Sequence, residues 1–157
     1  MIFPGHVAAA ALAARALGTD MPAALAASMC PDLVDKPVRW VLRVTPNDRI
    51  PAHSLFFMTG TTMLAYLFSG PRAARGWATG YGAHLLCDEI NSHLNPGRIY
   101  FWWPFKRYHL HTGPRGLRSS LSDFTIASLV LEAAISIAAV AAFLPGRMAR
   151  ATATSQG

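Results

Sequence analysis

Residues 77–90, WATGYGAHLLCDEI, combine an apolar helix pattern with small and ionisable side chains. Gly80 and Gly82 leave room for a second helix to approach the backbone closely. His84 and Asp88 are four residues apart, so both side chains leave the same face of that helix. The stretch therefore predicts a tightly packed helix that presents an imidazole and a carboxylate together.

Four further apolar stretches predict helices in the rest of the chain. They cover residues 6–17, 22–29, 55–68 and 121–144. Gly18 ends the first, Pro31 the second and Gly70 the third, because glycine and proline interrupt helices. Ser54 is a candidate N-cap for the third. A short additional helix is predicted over residues 38–44.

The fold class predicted from these patterns is all-α. No stretch alternates apolar and polar residues over the length of a strand. A chain of 157 residues is long enough for one domain with its own core. We expect a small bundle of about five helices over residues 1–146, partly embedded in a membrane, followed by a disordered tail over residues 147–157.

The composition points to a membrane. The chain is 52% hydrophobic and 14% charged, whereas soluble chains carry about a quarter charged residues. A net charge of +6 suits an anionic membrane surface or a nucleic acid. The apolar bulk favours the membrane, and the expected location is the cytoplasmic or inner membrane. Nucleic-acid binding is disfavoured because the arginines are dispersed and no binding motif is present.

Only one stretch meets the requirement of about 20 apolar residues for a membrane span. It covers residues 124–144 and contains Glu132. A second membrane signal is a group of aromatic and basic residues typical of an interfacial belt. The group comprises Trp102, Trp103, Phe105, Lys106, Arg107 and Tyr108. The alternative is a loop whose aromatic side chains fold back on the core.

Isolated ionisable residues in apolar surroundings indicate a functional site. His6, Asp32 and His53 each stand at the end of a different apolar stretch. Such side chains are costly to bury unless they are paired or bind a metal. Together with His84 and Asp88 they fit a site built inside a helix bundle. Taken alone, the spacing of His84 and Asp88 is equally typical of a structural hydrogen bond.

The order of these motifs resembles a known family. The motifs are Gly5-His6, Pro31-Asp32, His53-Ser54, Gly82-Ala83-His84-Leu85-Leu86-Cys87-Asp88 and Trp103-Pro104-Phe105. Over about the first two thirds of the chain they resemble the family of membrane-bound metal-dependent hydrolases. More distantly they are similar to the zinc-dependent phospholipase C group, although a second helix with the HxxxE spacing is missing. The resemblance implies a metal site formed by His6, Asp32, His53, His84 and Asp88.

The resemblance also implies a function. A divalent metal, zinc being the expected ion, would activate water, and Asp32 or Asp88 would orient or deprotonate it. The implied substrate is a phosphoester or an anionic phospholipid, held by basic residues between Arg98 and Arg118 or simply attracted to them at the lipid surface. The alternative is a non-catalytic membrane protein with a structural or sensing metal site.

Other possible ligands are less favoured by the sequence. His93, His109 and His111 lie in a stretch rich in proline and glycine, which predicts a solvated loop. Cys30 and Cys87 adjoin proposed ligands, and we interpret them as small buried hydrophobic side chains rather than thiolate ligands.

Overall fold

A computed structural model of the protein describes residues 3–94, 100–106 and 125–144. Within these residues the fold is all-α, without strands, as predicted. The helices are α1 (Phe3–Leu17), α2 (Met21–Pro37), α3 (Leu55–Leu94) and α4 (Ile126–Phe143). A π-helical turn, Val38–Leu42, continues α2. The predicted disordered tail at residues 147–157 lies outside the described residues.

Helix α3 is a helical hairpin rather than one straight rod. At Gly70 the backbone takes φ 82° and ψ 179°, a conformation that glycine adopts without the strain of a Cβ. The two halves, residues 55–69 and 71–94, then run antiparallel, and Trp77 Nε1 donates a hydrogen bond to Thr61 Oγ1 at 3.1 Å. The predicted break at Gly70 is confirmed. Counting the halves separately, the described residues form the five helical segments expected from the sequence.

The prediction that α2 ends at Pro31 is wrong, because the helix continues to Pro37. Proline removes one backbone hydrogen bond from a helix interior. Pro31 is nevertheless buried, together with the rest of the α2 face that packs on α3. Burial of that face outweighs the lost bond. As a result Asp32 and Asp35 lie within one helix, three residues apart, on its buried side.

Two glycines of α3 allow α2 to approach unusually closely. A Cβ built on Gly80 would overlap the backbone of Ala24, and one built on Gly76 would overlap the carbonyl of Asp20. Gly82 has no neighbour within 4 Å of such a Cβ, so the expectation that it also serves close packing is wrong. The short distance between α2 and α3 therefore depends on Gly76 and Gly80, which are four residues apart and lie on the same face of α3.

Helices α1 and α4 run parallel and pack together. Gly5 N donates to Glu132 Oε1 at 3.2 Å near the start of both helices. Near their other ends, the Arg15 guanidinium lies 5.1 Å from the ring centroid of Phe143. Because the two contacts join residues with nearly the same separation in sequence, the helices run in the same direction, with the first turn of α1 beside the second turn of α4.

A large apolar surface remains exposed on the bundle. Helix α4 is long and apolar enough to cross a membrane, and 17% of its residues are buried. Large exposed apolar side chains also line the first half of α3, namely Phe56, Met63, Leu64, Tyr66, Leu67 and Phe68. Beside them Phe105 is 79% exposed, and its ring meets that of Phe56 edge-on at 5.6 Å. The exposure of Phe105 and Trp102 favours the interfacial belt over a loop folded back on the core. Arg107 and Tyr108 lie outside the described residues.

Candidate metal centre

The structure brings the five candidate ligands into one buried cluster. They are His6 from α1, Asp32 from α2, His53 just before α3, and His84 and Asp88 from the second half of α3. None of these residues is more than 5% exposed. Within each of two subsets, His6–Asp32–His84 and His53–His84–Asp88, the potential ligand atoms lie within 4.8 Å of one another. The fold therefore gathers residues from four separate stretches of the chain.

The imidazole of His84 is oriented by a backbone carbonyl of α2. Its Nδ1 lies 2.6 Å from the carbonyl oxygen of Ser28. Because a carbonyl only accepts hydrogen bonds, Nδ1 carries the proton. The lone pair of the neutral ring is then on Nε2, which lies 3.2 Å from Nε2 of His53.

The imidazole of His53 is oriented by Asp35, a residue that sequence reasoning missed. Asp35 Oδ2 accepts from His53 Nδ1 at 2.7 Å. The same carboxylate accepts from the backbone N–H groups of Ala52 at 2.8 Å and His53 at 3.1 Å. Tyr81 OH donates to the Ala52 carbonyl, so this loop is held from both sides. The spacing of Asp32 and Asp35 would have been a signal, had α2 been expected to continue past Pro31.

The free edges of the rings and the carboxylates face one another. His53 Nε2 lies 3.4 Å from Asp88 Oδ2 and 3.7 Å from Asp32 Oδ1. His84 Nε2 lies 3.9 Å from Asp88 Oδ2. His6 Nε2 lies 3.3 Å from Asp88 Oδ1, and the His6 ring stacks on His84 with centroids 3.8 Å apart. Three imidazoles and two carboxylates thus form one connected cluster, in which His84 belongs to both subsets of potential ligands.

The surroundings of His53 and His84 shift the pKa values of these two imidazoles in opposite directions. Burial by itself lowers the pKa of His53, but hydrogen bonds with Asp35 and Asp88 raise it to about 9. Burial lowers the pKa of His84 to about 3, and the adjacent rings of His6 and His53 act in the same direction. At neutral pH the cluster without metal therefore holds a protonated His53 and a neutral His84.

Both carboxylates of the cluster are ionised at neutral pH. Burial works to raise the pKa of Asp88, yet hydrogen bonds with His53 and His6 hold it well below its usual value. Burial opposes ionisation of Asp32 as well, but the charges of His53 and Lys36 lower its pKa. Lys36 Nζ lies 2.6 Å from Asp32 Oδ2, one turn along α2. Asp32 is thus shared between the cluster and a lysine at its edge.

The other ligand candidates do not join the cluster in the part of the chain that the structure describes. His93 lies in the last turn of α3 rather than in a loop; its side chain is 76% exposed and pairs with Glu89 at 3.6 Å. Cys87 is buried and Cys30 half-buried. Burial raises the pKa of both thiols, that of Cys87 to about 11, which disfavours thiolate ligands. His109, His111 and most of the basic stretch from Arg98 to Arg118 lie outside the described residues.

Comparison with known proteins places almost the whole chain in a family. The family model described as YdjM inner membrane protein matches residues 1–153. No curated protein and no solved structure matches the chain significantly. The match covers all the described helices and the five clustered residues.

Proposed function

The chain belongs to the YdjM inner membrane protein family, and on that premise we propose that it is a membrane-bound hydrolase that depends on a divalent metal. One observation carries the proposal. His53 and His84 have their Nδ1 atoms tied to acceptors, and their Nε2 atoms meet 3.2 Å apart. One carboxylate oxygen of Asp88 and one of Asp32 lie 3.4 Å and 3.7 Å from His53 Nε2.

The hydrogen bonds that orient the His53 and His84 rings support metal binding over a purely structural ion-pair network. Metal-ligating histidines typically donate their other ring N–H to a carboxylate or a backbone carbonyl, which fixes the tautomer and the ring orientation. His53 does so to Asp35 and His84 to Ser28. Imidazole nitrogen and carboxylate oxygen are the ligands that zinc and related divalent ions accept. The donor set therefore fits a zinc-like ion.

Five donors exceed the four that a tetrahedral site requires. Asp32 or Asp88 can therefore remain a base. A bound divalent ion would supply a water with a pKa of about 7. Asp32 Oδ1 faces the cluster while Oδ2 pairs with Lys36, which places the ionised carboxylate where it could orient that water or take up its proton. Lys36 also offers a positive charge at the edge of the site for an anionic group such as a phosphoester.

The substrate class follows from the setting of the site. The exposed apolar faces of α3 and α4 and the belt around Phe105 belong to a protein of the inner membrane. An anionic phospholipid or another phosphoester at the lipid surface would reach such a site without leaving the membrane. Both substrate kinds share the phosphoryl group that Lys36 would attract.

The test of catalysis compares Asp32→Asn with Asp88→Asn in detergent-purified protein. Each substitution keeps the shape and removes the charge. We expect at least one variant to stay folded and metal-loaded while hydrolysis of a phosphodiester or phospholipid falls by about 10²–10⁴-fold, the range for loss of a general base. His93→Ala, outside the cluster, is the matched control. Wild-type activity should vanish with chelator and return with added metal.

A second candidate function is a non-catalytic metal site for structure or sensing. The low exposure of all five residues, at most 5%, favours it, because structural sites are closed whereas catalytic sites keep a position open for water. Metal-replete, folded wild-type protein that hydrolyses nothing across a broad panel of esters and phosphoesters would establish this alternative and contradict the hydrolase proposal.

Metal affinity is expected to depend on pH through His53. Its pKa of about 9 without metal means that a metal must displace a proton from it at neutral pH. Apparent affinity should rise about tenfold per pH unit from about 7 to 9 and then level off, because one proton competes below that pKa. Calorimetric titrations in buffers of different ionisation enthalpy should detect the proton released from His53. A flat affinity over this range would contradict the coupling.

A further inference from the structure

The candidate membrane helix α4 contains one ionisable residue, Glu132, and the bundle buries it. The helix reads IASLVLEAAISIAAVAAF. Glu132 is 8% exposed, although most of α4 faces outward. An ionisable side chain in a membrane helix is costly and therefore turns towards a partner in the protein interior. The partner of Glu132 identifies what this residue does.

That partner is the first turn of α1. Glu132 Oε1 accepts a hydrogen bond from Gly5 N at 3.2 Å. The first N–H groups of a helix have no acceptor within the helix and carry partial positive charge. Helix α1 has no acidic residue in its own first turn, and Pro4 has no N–H to offer. Helix α4 thus supplies a carboxyl oxygen as an acceptor for the start of α1.

The residue that follows Gly5 is the candidate ligand His6. The rings of His53 and His84 are each oriented by an acceptor on Nδ1. Nδ1 of His6 has no hydrogen-bond partner among the described residues, while its Nε2 pairs with Asp88 Oδ1 at 3.3 Å. Because Nδ1 lacks an orienting acceptor there, the place of the His6 ring depends on its contacts with Asp88 and His84 and on where its backbone is held.

We infer that Glu132 is a positioning residue for the metal centre: by holding Gly5 N it places His6 among the ligands. The inference rests on the proposed metal binding and adds a residue from the membrane helix to that site. It also links the candidate membrane helix α4 to the metal centre, because a displacement of α4 at Glu132 moves the first turn of α1 and with it His6.

The experiment measures Co²⁺ binding by the full-length protein in detergent, for wild type, Glu132→Ala, Glu132→Gln and the control Ser136→Ala one turn along α4. Glu132→Ala should weaken Co²⁺ binding by about tenfold, the lower range for loss of an outer-shell partner, and alter the visible spectrum of bound Co²⁺. Glu132→Gln keeps an oxygen that can accept from Gly5 N and should restore most of the affinity. Ser136→Ala should behave as wild type.

A double-mutant cycle with His6→Ala identifies the route of the effect. If Glu132 acts through His6, Glu132→Ala causes no further loss of Co²⁺ affinity in the His6→Ala background. Equal losses in both backgrounds, or an unchanged affinity and spectrum in Glu132→Ala, would overturn the inference while leaving metal binding intact.

A readout that needs no metal separates this inference from the proposed function. In the metal-free protein, amide exchange in the first turn of α1 should accelerate in Glu132→Ala and not in Ser136→Ala. Wild-type protein that binds no Co²⁺ would refute the metal site. Unchanged exchange in Glu132→Ala would refute the anchoring by Glu132, whatever the metal result.

Discussion

Replacing His84 by alanine is expected to reduce divalent-metal affinity by more than about a hundredfold. Loss of a residue that only hydrogen-bonds to a ligand costs up to about that much, and loss of a ligand itself should cost more. His84 belongs to both subsets of atoms that could hold an ion, and it is fully buried between α2 and α3. Its loss therefore removes one donor from each of the two candidate sites. Titration of the purified protein with Zn²⁺ or Co²⁺, together with elemental analysis, measures the effect.

The same substitution is also expected to destabilise the metal-free protein. It removes the buried hydrogen bond between His84 and the Ser28 carbonyl, and such a bond contributes about 0.5–1.5 kcal/mol. His93→Ala is the matched control, since its exposed ring pairs only with Glu89 among the described residues. His84→Ala protein that binds metal as tightly as the control would exclude His84 as a ligand.

Replacing Gly80 by alanine is expected to lower the free energy of unfolding by about 3 kcal/mol or more, the upper range for overpacking. The new Cβ would overlap the backbone of Ala24, and a backbone cannot rotate away as a side chain can. Helices α2 and α3 must therefore separate. Thermal unfolding of the detergent-purified protein, with and without metal, measures the loss.

The Gly80 substitution should also weaken the metal centre. Ser28 follows Ala24 by one turn of α2, and His84 follows Gly80 by one turn of α3. Separation of the helices there pulls Ser28 O away from His84 Nδ1. Gly82→Ala is the control, because its Cβ would meet nothing within 4 Å and alanine favours the helix by about 1 kcal/mol. Equal melting temperatures for the two variants would contradict the close approach at Gly80.

Several features of the fold could be predicted from local sequence alone. The apolar runs predicted the helices, and Ser54 and Gly70 were predicted correctly as the start of α3 and its break. Such signals work because capping and left-handed glycine conformations depend on a few adjacent residues. The predicted end of α2 at Pro31 was wrong because it depends on contacts that are distant in sequence. Whether a helix continues through Pro31 depends on the surface that it buries against α3.

Some residues of the candidate site could likewise be predicted from the sequence, whereas others could not. His6, Asp32, His53, His84 and Asp88 stood out because ionisable residues in apolar stretches need a partner, and that requirement is visible in sequence. Their role as metal ligands stays a prediction, with only their proximity now established. Asp35 escaped notice because its role depends on a loop seventeen residues later, at Ala52.

The sequence by itself determined that this protein is helical, that it is apolar enough for a membrane, and that five ionisable side chains in apolar surroundings need partners. Composition and periodicity suffice for that, since they act along the chain. Only the tertiary structure decided which nitrogen of each imidazole faces the cluster, that Asp35 and Ser28 orient two of the rings, and that Glu132 reaches the first turn of α1. Those facts depend on distances between segments far apart in sequence, which are set by how closely the helices pack.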